Sequence, residues 1–369
     1  MTFGTFFLPG PTEVRPAVLR AMTRPMMPHR SIEFEEMFAS LQSGLREVFG
    51  TDRPVYICTS SATGLMEAGV RYAPKGDILA LVNGAFSGRF AAIAIACGRN
   101  VDRYEVAWGE AHDPAVLREY LGRKSYAAIT VVHSETSTGV LNDVHAINRV
   151  AHEFNVRCLI DSVSGIGGAE LRFDASEFDY VLTGSQKALA LPPGLAFGTA
   201  SGDFLASGGD APAIGVYFDL GEFEEYARKN QAPNTPALSL YYALERQLRD
   251  IVTEGMEARW SRHRKLAQLT HDWADEMRGK HGVDLSILAP AASRSPTVTT
   301  LVLPPGLTSD MVVSKVLQLG FTVGTGYGKL KASTMRIGHM GDHTVRGVTR
   351  CLAACSEALL ALNAADAAH

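Results

Sequence analysis

Lys187 stands in the run Tyr180-Val-Leu-Thr-Gly-Ser-Gln-Lys-Ala-Leu, where an apolar stretch climbs into a polar turn that presents one amine. A second strand-like run, Arg157-Cys-Leu-Ile-Asp-Ser-Val, ends in Asp161. Taken singly, Lys187 reads as a solvated loop lysine and Asp161 as a helix cap or an arginine partner. Jointly, at the ends of neighbouring strands, they suit one chemistry. The amine holds an aldehyde as a Schiff base, and the carboxylate keeps a pyridine nitrogen protonated so that the ring absorbs a carbanion's electrons. Pyridoxal 5'-phosphate makes both demands.

Such a pair needs a sheet to hold it. Short apolar runs recur at Ile78–Val82, Val101–Val106, Ala127–Val132, Arg157–Asp161, Tyr180–Thr183 and Leu195–Thr199. Segments with helical spacing, Phe86–Cys97, Pro114–Leu121 and Val144–Phe154, lie among the first five, and Asp113 with Pro114 forms a helix-start signal. This alternation predicts an α/β fold, a parallel sheet covered on both faces. Thr183 to Leu195 leaves too little room for a helical crossover. The Leu195–Thr199 strand should therefore run antiparallel, with Lys187 in the turn before it. A charged helical stretch, Pro236–Gly279, follows, its first part being Leu238–Thr253. Strands at Ser286–Leu288, Thr297–Leu303 and Met335–Ile337 and helices at Ser309–Leu319 and Thr344–Leu362 then restart with a new rhythm. That predicts a smaller α+β domain. The division expected is residues 1–15 as an N-terminal segment reaching the site, 16–254 as the large domain and 255–369 as the small one. The tail Ala361–His369 reads as frayed.

Open parallel sheets bind ligands beyond the carboxyl ends of their strands. Thr59-Ser-Ser-Ala-Thr-Gly-Leu opens a helix with small hydroxyl residues, so its free amides and dipole suit a phosphate, with Ser61 and Thr63 adding hydroxyls. Alone it would be an ordinary N-cap. No Walker lysine follows, which disfavours a nucleoside triphosphate. Phe86, just after a strand and among small residues, offers a flat partner to a flat ring; read alone it is equally a core phenylalanine. Val163 could cover the ring's other face, although in isolation it too is a core residue. Arg336, flanked by apolar Met335 and Ile337, has the planar fork that matches a substrate carboxylate, against the plainer reading of a salt bridge. Ile166-Gly-Gly and Gly324-Thr-Gly-Tyr-Gly do not complete a dinucleotide fingerprint.

Composition narrows the classes. The 369 residues are 46% hydrophobic and 20% charged with a formal net charge of −4, as in a water-soluble globular protein. No dense basic stripe appears, so neither nucleic acid nor an anionic membrane is an expected partner. The five cysteines form no Cys-x-x-Cys pair and fit reduced thiols in a cytoplasm; no metal site is expected. The first residues lack a basic n-region and a long apolar run, and no segment approaches the ~20 apolar residues of a membrane span.

The motifs together resemble a known family, the class V aminotransferases of the fold-type I pyridoxal phosphate enzymes, in their alanine–glyoxylate/serine–pyruvate branch. They are Phe7-Leu-Pro-Gly-Pro-Thr, Ser61-Ala-Thr-Gly-Leu-Met-Glu-Ala, Asn83-Gly-Ala-Phe, His133-Ser-Glu-Thr-Ser-Thr-Gly-Val, Asp161-Ser-Val-Ser, Gly184-Ser-Gln-Lys-Ala-Leu, Pro192-Pro-Gly, Asn234-Thr-Pro and Arg336-Ile-Gly-His-Met-Gly. The resemblance implies a mostly parallel seven-stranded sheet with helices on both faces. It implies Lys187 as the Schiff-base lysine and proton shuttle, and Asp161 as the partner of the pyridine nitrogen. Phe86 takes the ring-stacking position. Ser61, Ala62 and Thr63 match the phosphate turn, Gln186 a further phosphate contact and Thr136 the hydroxyl near the ring oxygen. Thr235 matches a residue lent by the second subunit of a homodimer with shared sites. Arg336 matches the carboxylate anchor, with the Gly10 backbone nearby. Two positions depart from the pattern: Ala232 stands where some relatives have tyrosine, and Ala62 where glycine is usual.

The function implied is a ping-pong transamination from a small amino acid, alanine or serine, to a 2-oxo acid, glyoxylate or pyruvate. The nearest alternative is a phosphoserine or 2-aminoethylphosphonate transaminase, with His29 and Arg30 as candidates for an anionic side chain. A pyridoxal phosphate lyase of the desulfurase type is disfavoured, because Gln186 precedes the lysine and no cysteine lies between Cys158 and Cys351. A non-catalytic protein of the same fold is disfavoured by the intact Lys187–Asp161 pair.

Overall fold

Alternate residues of the central strands pack into opposite layers. Leu79, Leu81, Ile129, Val131, Cys158, Ile160, Val181 and Phe197 enter one core. Ile78, Ala128, Leu159, Tyr180, Leu182 and Ala196 enter the other. A period of two with both faces apolar is what a sheet buried between two helical layers requires. Each fully buried valine, leucine, isoleucine or phenylalanine among them contributes about 1.5–3 kcal/mol. A one-residue slip would still meet an apolar layer here, so the polar strand ends, more than the faces, fix register.

The computed structural model describes residues 3–208 and 215–366. Its larger sheet has seven strands in the order Tyr56–Cys58, Ala196–Ala200, Tyr180–Gly184, Arg157–Asp161, Ala128–Val132, Ile78–Val82, Val101–Glu105. Neighbours from Tyr180–Gly184 to Val101–Glu105 are parallel. Ala196–Ala200 is antiparallel to both of its neighbours, as the short connection predicts. Helix Ala62–Tyr72 packs on the Tyr180–Gly184 and Ala196–Ala200 strands, Ala85–Ala96 on Ile78–Val82 and Val144–Glu153 on Arg157–Asp161. The helix Pro114–Arg123 starts where the sequence places it: the Asp113 carboxylate accepts the Ala115 amide at 2.7 Å just before it.

A second, five-stranded sheet has the order Phe6–Phe7, Thr322–Thr325, Thr334–Gly338, Val298–Val302, Ser286–Ile287. Phe7, Leu301, Val323, Met335 and Ile337 pack there with Val312, Val316, Val348 and Cys355 from flanking helices. The expected single stretch Pro236–Gly279 is two helices, Leu238–Glu254 and Met256–His281, because Gly255 breaks the run at a φ of 78°. The last helix runs over Val345–Asp366 and not to Leu362. Alanine is the strongest helix former, and the alanines expected to fray continue the helix instead; residues 367–369 lie outside the described residues.

Candidate active site

The strand Tyr180–Gly184 delivers Lys187 into a tight turn. Ala190 N–H donates to Lys187 O at 2.8 Å and Leu191 N–H to Ser185 O at 3.1 Å. Ala190 sits at a φ of 53°, a left-handed conformation costly for a residue with a Cβ. The N-terminal segment clamps this turn from outside: Thr12 N–H donates to Gln186 O at 2.9 Å and its hydroxyl to Lys187 O at 3.1 Å. Lys187 Nζ donates to Pro9 O. A Cβ on Gly10, whose φ is 118°, would collide with Lys187 Nζ, so only glycine lets the chain pass here. Lys187 is 8% exposed. Burial, and then the nearby Arg336 charge, pull its pKa down to about 8.

Asp161 ends the adjacent strand and is 2% exposed. Its Oδ1 accepts the Val163 amide at 2.8 Å. Burial pushes its pKa up to about 7, with the Val163 bond opposing. A buried carboxylate backed by one neutral donor is made for a cationic partner.

Lys187 and Asp161 line one cavity of about 170 Å³ together with Ser61, Ala62, Thr63, Phe86, Thr136, Val163 and Gln186. At one end lies the start of helix Ala62–Tyr72, whose N-cap Ser61 makes no side-chain capping bond. Its first amides and the Ser61 hydroxyl are thus available to an anion. Phe86 stands 5.9 Å, ring centre to Nζ, from Lys187. The Thr136 hydroxyl pairs with Ser164 Oγ at 2.5 Å. An anion site, an aromatic face, an amine and a carboxylate in one cavity fit a phosphorylated pyridine aldehyde.

Arg336 comes from the other sheet, opposite Thr300 and Gly324 in register. Its Nη1 donates to Thr136 O at 3.1 Å and its Nε to Thr325 O at 2.9 Å, so its fork is held between its own sheet and the turn that carries Thr136. Burial pulls its pKa down to about 10, which leaves it charged at neutral pH.

Three participants escaped the sequence reading. Glu135 is fully buried and accepts the amides of Phe86 at 3.3 Å, Ser87 at 2.9 Å and Ser137 at 3.1 Å. It therefore fixes Phe86 against the Thr136 turn. Its signal was an acid in a strand-end motif. Tyr327 stacks on Phe86 with ring centres 5.3 Å apart. Arg89 lines the cavity and donates to the Tyr327 hydroxyl at 3.2 Å.

Thr235 is not brought to this cavity by its own chain. It lines a separate small cleft with Thr59 and Tyr217. Arg30 donates to Ala232 O at 2.9 Å and Pro233 O at 3.3 Å, holding the backbone that leads to Thr235. Neither His29 nor Arg30 lines the Lys187 cavity. A larger cavity of about 550 Å³ opens at the amino ends of the Arg157–Asp161 and Tyr180–Gly184 strands. Size does not make it the reactive site: its Asp179 is already paired with Arg157 at 3.0 Å and His152 at 2.9 Å.

The family model for aminotransferase class V matches residues 9–334. This chain belongs to the class V aminotransferases. It is a transaminase, and its family works with pyridoxal phosphate. Among relatives of this class V aminotransferase, an uncharacterized aminotransferase of Methanocaldococcus jannaschii is 34% identical over 361 residues, covering 95% of this chain and 91% of the relative. The L-aspartate–glyoxylate aminotransferase of Paracoccus denitrificans is 30% identical over 347 residues, covering 92% and 86%. The crystal structure of an alanine–glyoxylate aminotransferase from Nostoc sp. superposes with a TM-score of 0.90 at 29% identity, covering 96% of this chain and 95% of that one. Among the described residues no helix is long and apolar enough to cross a membrane.

Proposed function

We propose that this aminotransferase binds pyridoxal phosphate at Lys187 and moves an amino group from alanine or serine to glyoxylate or pyruvate in two half-reactions. The observation that carries this reading is the buried Lys187 amine in one cavity with Asp161, Phe86 and the open start of helix Ala62–Tyr72. Two named relatives have different donors, alanine and aspartate, and share glyoxylate. That supports glyoxylate as acceptor more firmly than any donor.

Bound there, the cofactor supplies an aldehyde for amines and a protonated ring that stores the electron pair left when the substrate's α C–H bond breaks. The residues do the rest. Ser61, Ala62, Thr63 and Gln186 hold the phosphate, Phe86 and Val163 flank the ring, and Thr136 lies by its oxygen. Asp161 keeps the ring nitrogen protonated. Arg336, with the Gly10 backbone beside it, orients the substrate carboxylate. Lys187 Nζ takes the α proton and returns it one carbon along. A pKa near 8 leaves a useful free-amine fraction at neutral pH. Borohydride reduction of the cofactor-loaded protein should fix pyridoxal on the Lys187 peptide, and labelling of another peptide, or of none, refutes the assignment. Alanine, serine, aspartate, phosphoserine and 2-aminoethylphosphonate should then be compared by loss of absorbance near 420 nm.

Arg336→Ala is expected to raise KM for every α-carboxylate donor with a smaller effect on kcat. A charge-assisted bond is worth about 1.5–3 kcal/mol, or roughly ten- to a hundredfold. Unchanged kinetics across all donors would remove Arg336 from the site.

We further infer a homodimer in which Thr235 serves the partner's cavity. In support, its own chain holds it at a different cleft, with Arg30 fixing the approach. Mixed dimers of Lys187→Ala and Thr235→Ala chains should recover one sound site in two. If the mixture is no more active than its parents combined, sharing is excluded. We also propose a division into large and small domains between residues 254 and 255, supported by the Gly255 break, and a cytoplasmic setting, supported by the five free cysteines.

A further inference from the structure

Arg259, on the first turn of helix Met256–His281, is 1% exposed. A buried guanidinium is costly to desolvate and persists only when its donors are filled. Here Nε donates to Gly167 O at 3.1 Å. Nη2 donates to Ala188 O at 2.7 Å and to Asp342 Oδ1 at 3.1 Å. Nη1 donates to Glu254 Oε2 at 2.8 Å. These partners are not scattered. Ala188 follows Lys187. Gly167 belongs to the turn that follows Asp161, and a Cβ there would stand 3.3 Å from Ala188 C. Asp342 lies just past the Thr334–Gly338 strand that carries Arg336, and its carboxylate also accepts from Arg15 Nε at 2.6 Å and Gln247 Nε2 at 3.0 Å. The next turn of the same helix continues the link: His263 Nδ1 meets Arg259 O at 2.8 Å, and its Nε2 accepts the Gly341 amide at 3.0 Å.

We propose that Arg259 is the positioning residue of this site, locking the turn that carries Lys187 to the turn after Asp161 and to the strand end beyond Arg336. The roles of those three rest on the function proposed above. The left-handed Ala190 makes the lysine turn a strained one. Three donors on a rigid fork, aimed at two carbonyls and a carboxylate, hold what the local sequence alone would relax. A lysine at this place keeps the charge but has no planar fork, so it cannot hold the same three-way geometry.

The test reads the Lys187 amine directly. The full chain, without added cofactor, is trace-labelled with acetic anhydride across pH, and the Lys187 peptide is quantified by mass spectrometry. In the wild type labelling should break near pH 8. In Arg259→Met and Arg259→Lys the turn relaxes, water reaches the amine, and the break should move toward the ordinary lysine value of about 10.4. Labelling at pH 8 then falls, by about fivefold for a shift of one unit and on the order of a hundredfold if the break reaches the ordinary value. Asp342→Asn leaves both carbonyl bonds in place; it should keep the Lys187 profile and raise KM for the amino donor. A purely structural Arg259 would lower the Tm of its variants and leave the Lys187 profile unmoved, and that result overturns the proposal. If Arg259→Met does not fold, Arg259→Lys decides alone. Failure to trap pyridoxal at Lys187 in the wild type would sink the function proposed above without altering the labelling result.

Discussion

Lys187→Ala is expected to lower amino transfer by at least about a thousandfold, the combined loss of a covalent anchor and a general base. Among the described residues lining the cavity, Lys187 carries the one amine. Arg89, the other cation there, carries a guanidinium and no primary amine, so it cannot supply the covalent anchor. Initial rates and absorbance near 420 nm measure the effect, and turnover retained at a tenth of wild type or more would refute the assignment. The loss should not come from unfolding. The charged amine is a burden on the cofactor-free fold, because burial lowers its pKa from 10.5 to about 8. The sign follows from linkage. The folded state binds fewer protons than the unfolded one between those values, so stability climbs as pH rises through that window, and below pH 8 the penalty is complete. Lys187→Met, which keeps the methylenes, should therefore melt higher than the wild type at pH 7 when no cofactor is bound. The difference should shrink toward pH 10.

Much of this site was legible because the chemistry sits at strand ends. Strand ends are marked by an apolar run meeting a polar residue, and Asp161 and Lys187 both lie at such edges. The antiparallel direction of Ala196–Ala200 follows from connection length alone. What stayed hidden has physical reasons. Tyr56–Cys58 is a three-residue edge strand, too short for periodicity to register, although it leads directly into the Ser61 turn. Phe6–Phe7 pairs with Thr322–Thr325 across nearly the whole chain, a non-local match that no window detects. Glu135 and Arg259 are hard to read as participants because most of what they hold is backbone, amides for one and carbonyls for the other, which every residue carries, and the Asp342 carboxylate that Arg259 meets lies 83 residues away in sequence. Tyr327 lies in a glycine-rich run with no motif to mark it, and nothing local points to Phe86, its stacking neighbour far away in sequence. Thr235 is marked by resemblance alone, and within its own chain it lines a cleft apart from the Lys187 cavity.

Asp161→Asn should separate holding the cofactor from using it. Lys187 is untouched, so borohydride should still fix pyridoxal on its peptide. Amino transfer should nevertheless fall by roughly a hundred- to several-thousandfold, since removing one member of a buried ion pair costs about 3–5 kcal/mol and each 1.4 kcal/mol is tenfold. The amide is similar in size, and one of its atoms can still meet the Val163 amide, so geometry is conserved while charge is lost. The stability effect runs the other way. Burial raises the Asp161 pKa from 3.8 to about 7, so the cofactor-free fold carries no penalty below pH 3.8 and a full one above pH 7. The neutral asparagine removes that penalty. Cofactor-free Asp161→Asn should therefore melt above the wild type at pH 8 and level with it near pH 4. Adding the cofactor should reverse the order at pH 8, because only the carboxylate can pair with a protonated ring nitrogen. Melting curves with and without pyridoxal phosphate, at both pH values, test this crossing. If the two proteins gain equally from the cofactor, Asp161 does not face the ring nitrogen, whatever happens to the rate.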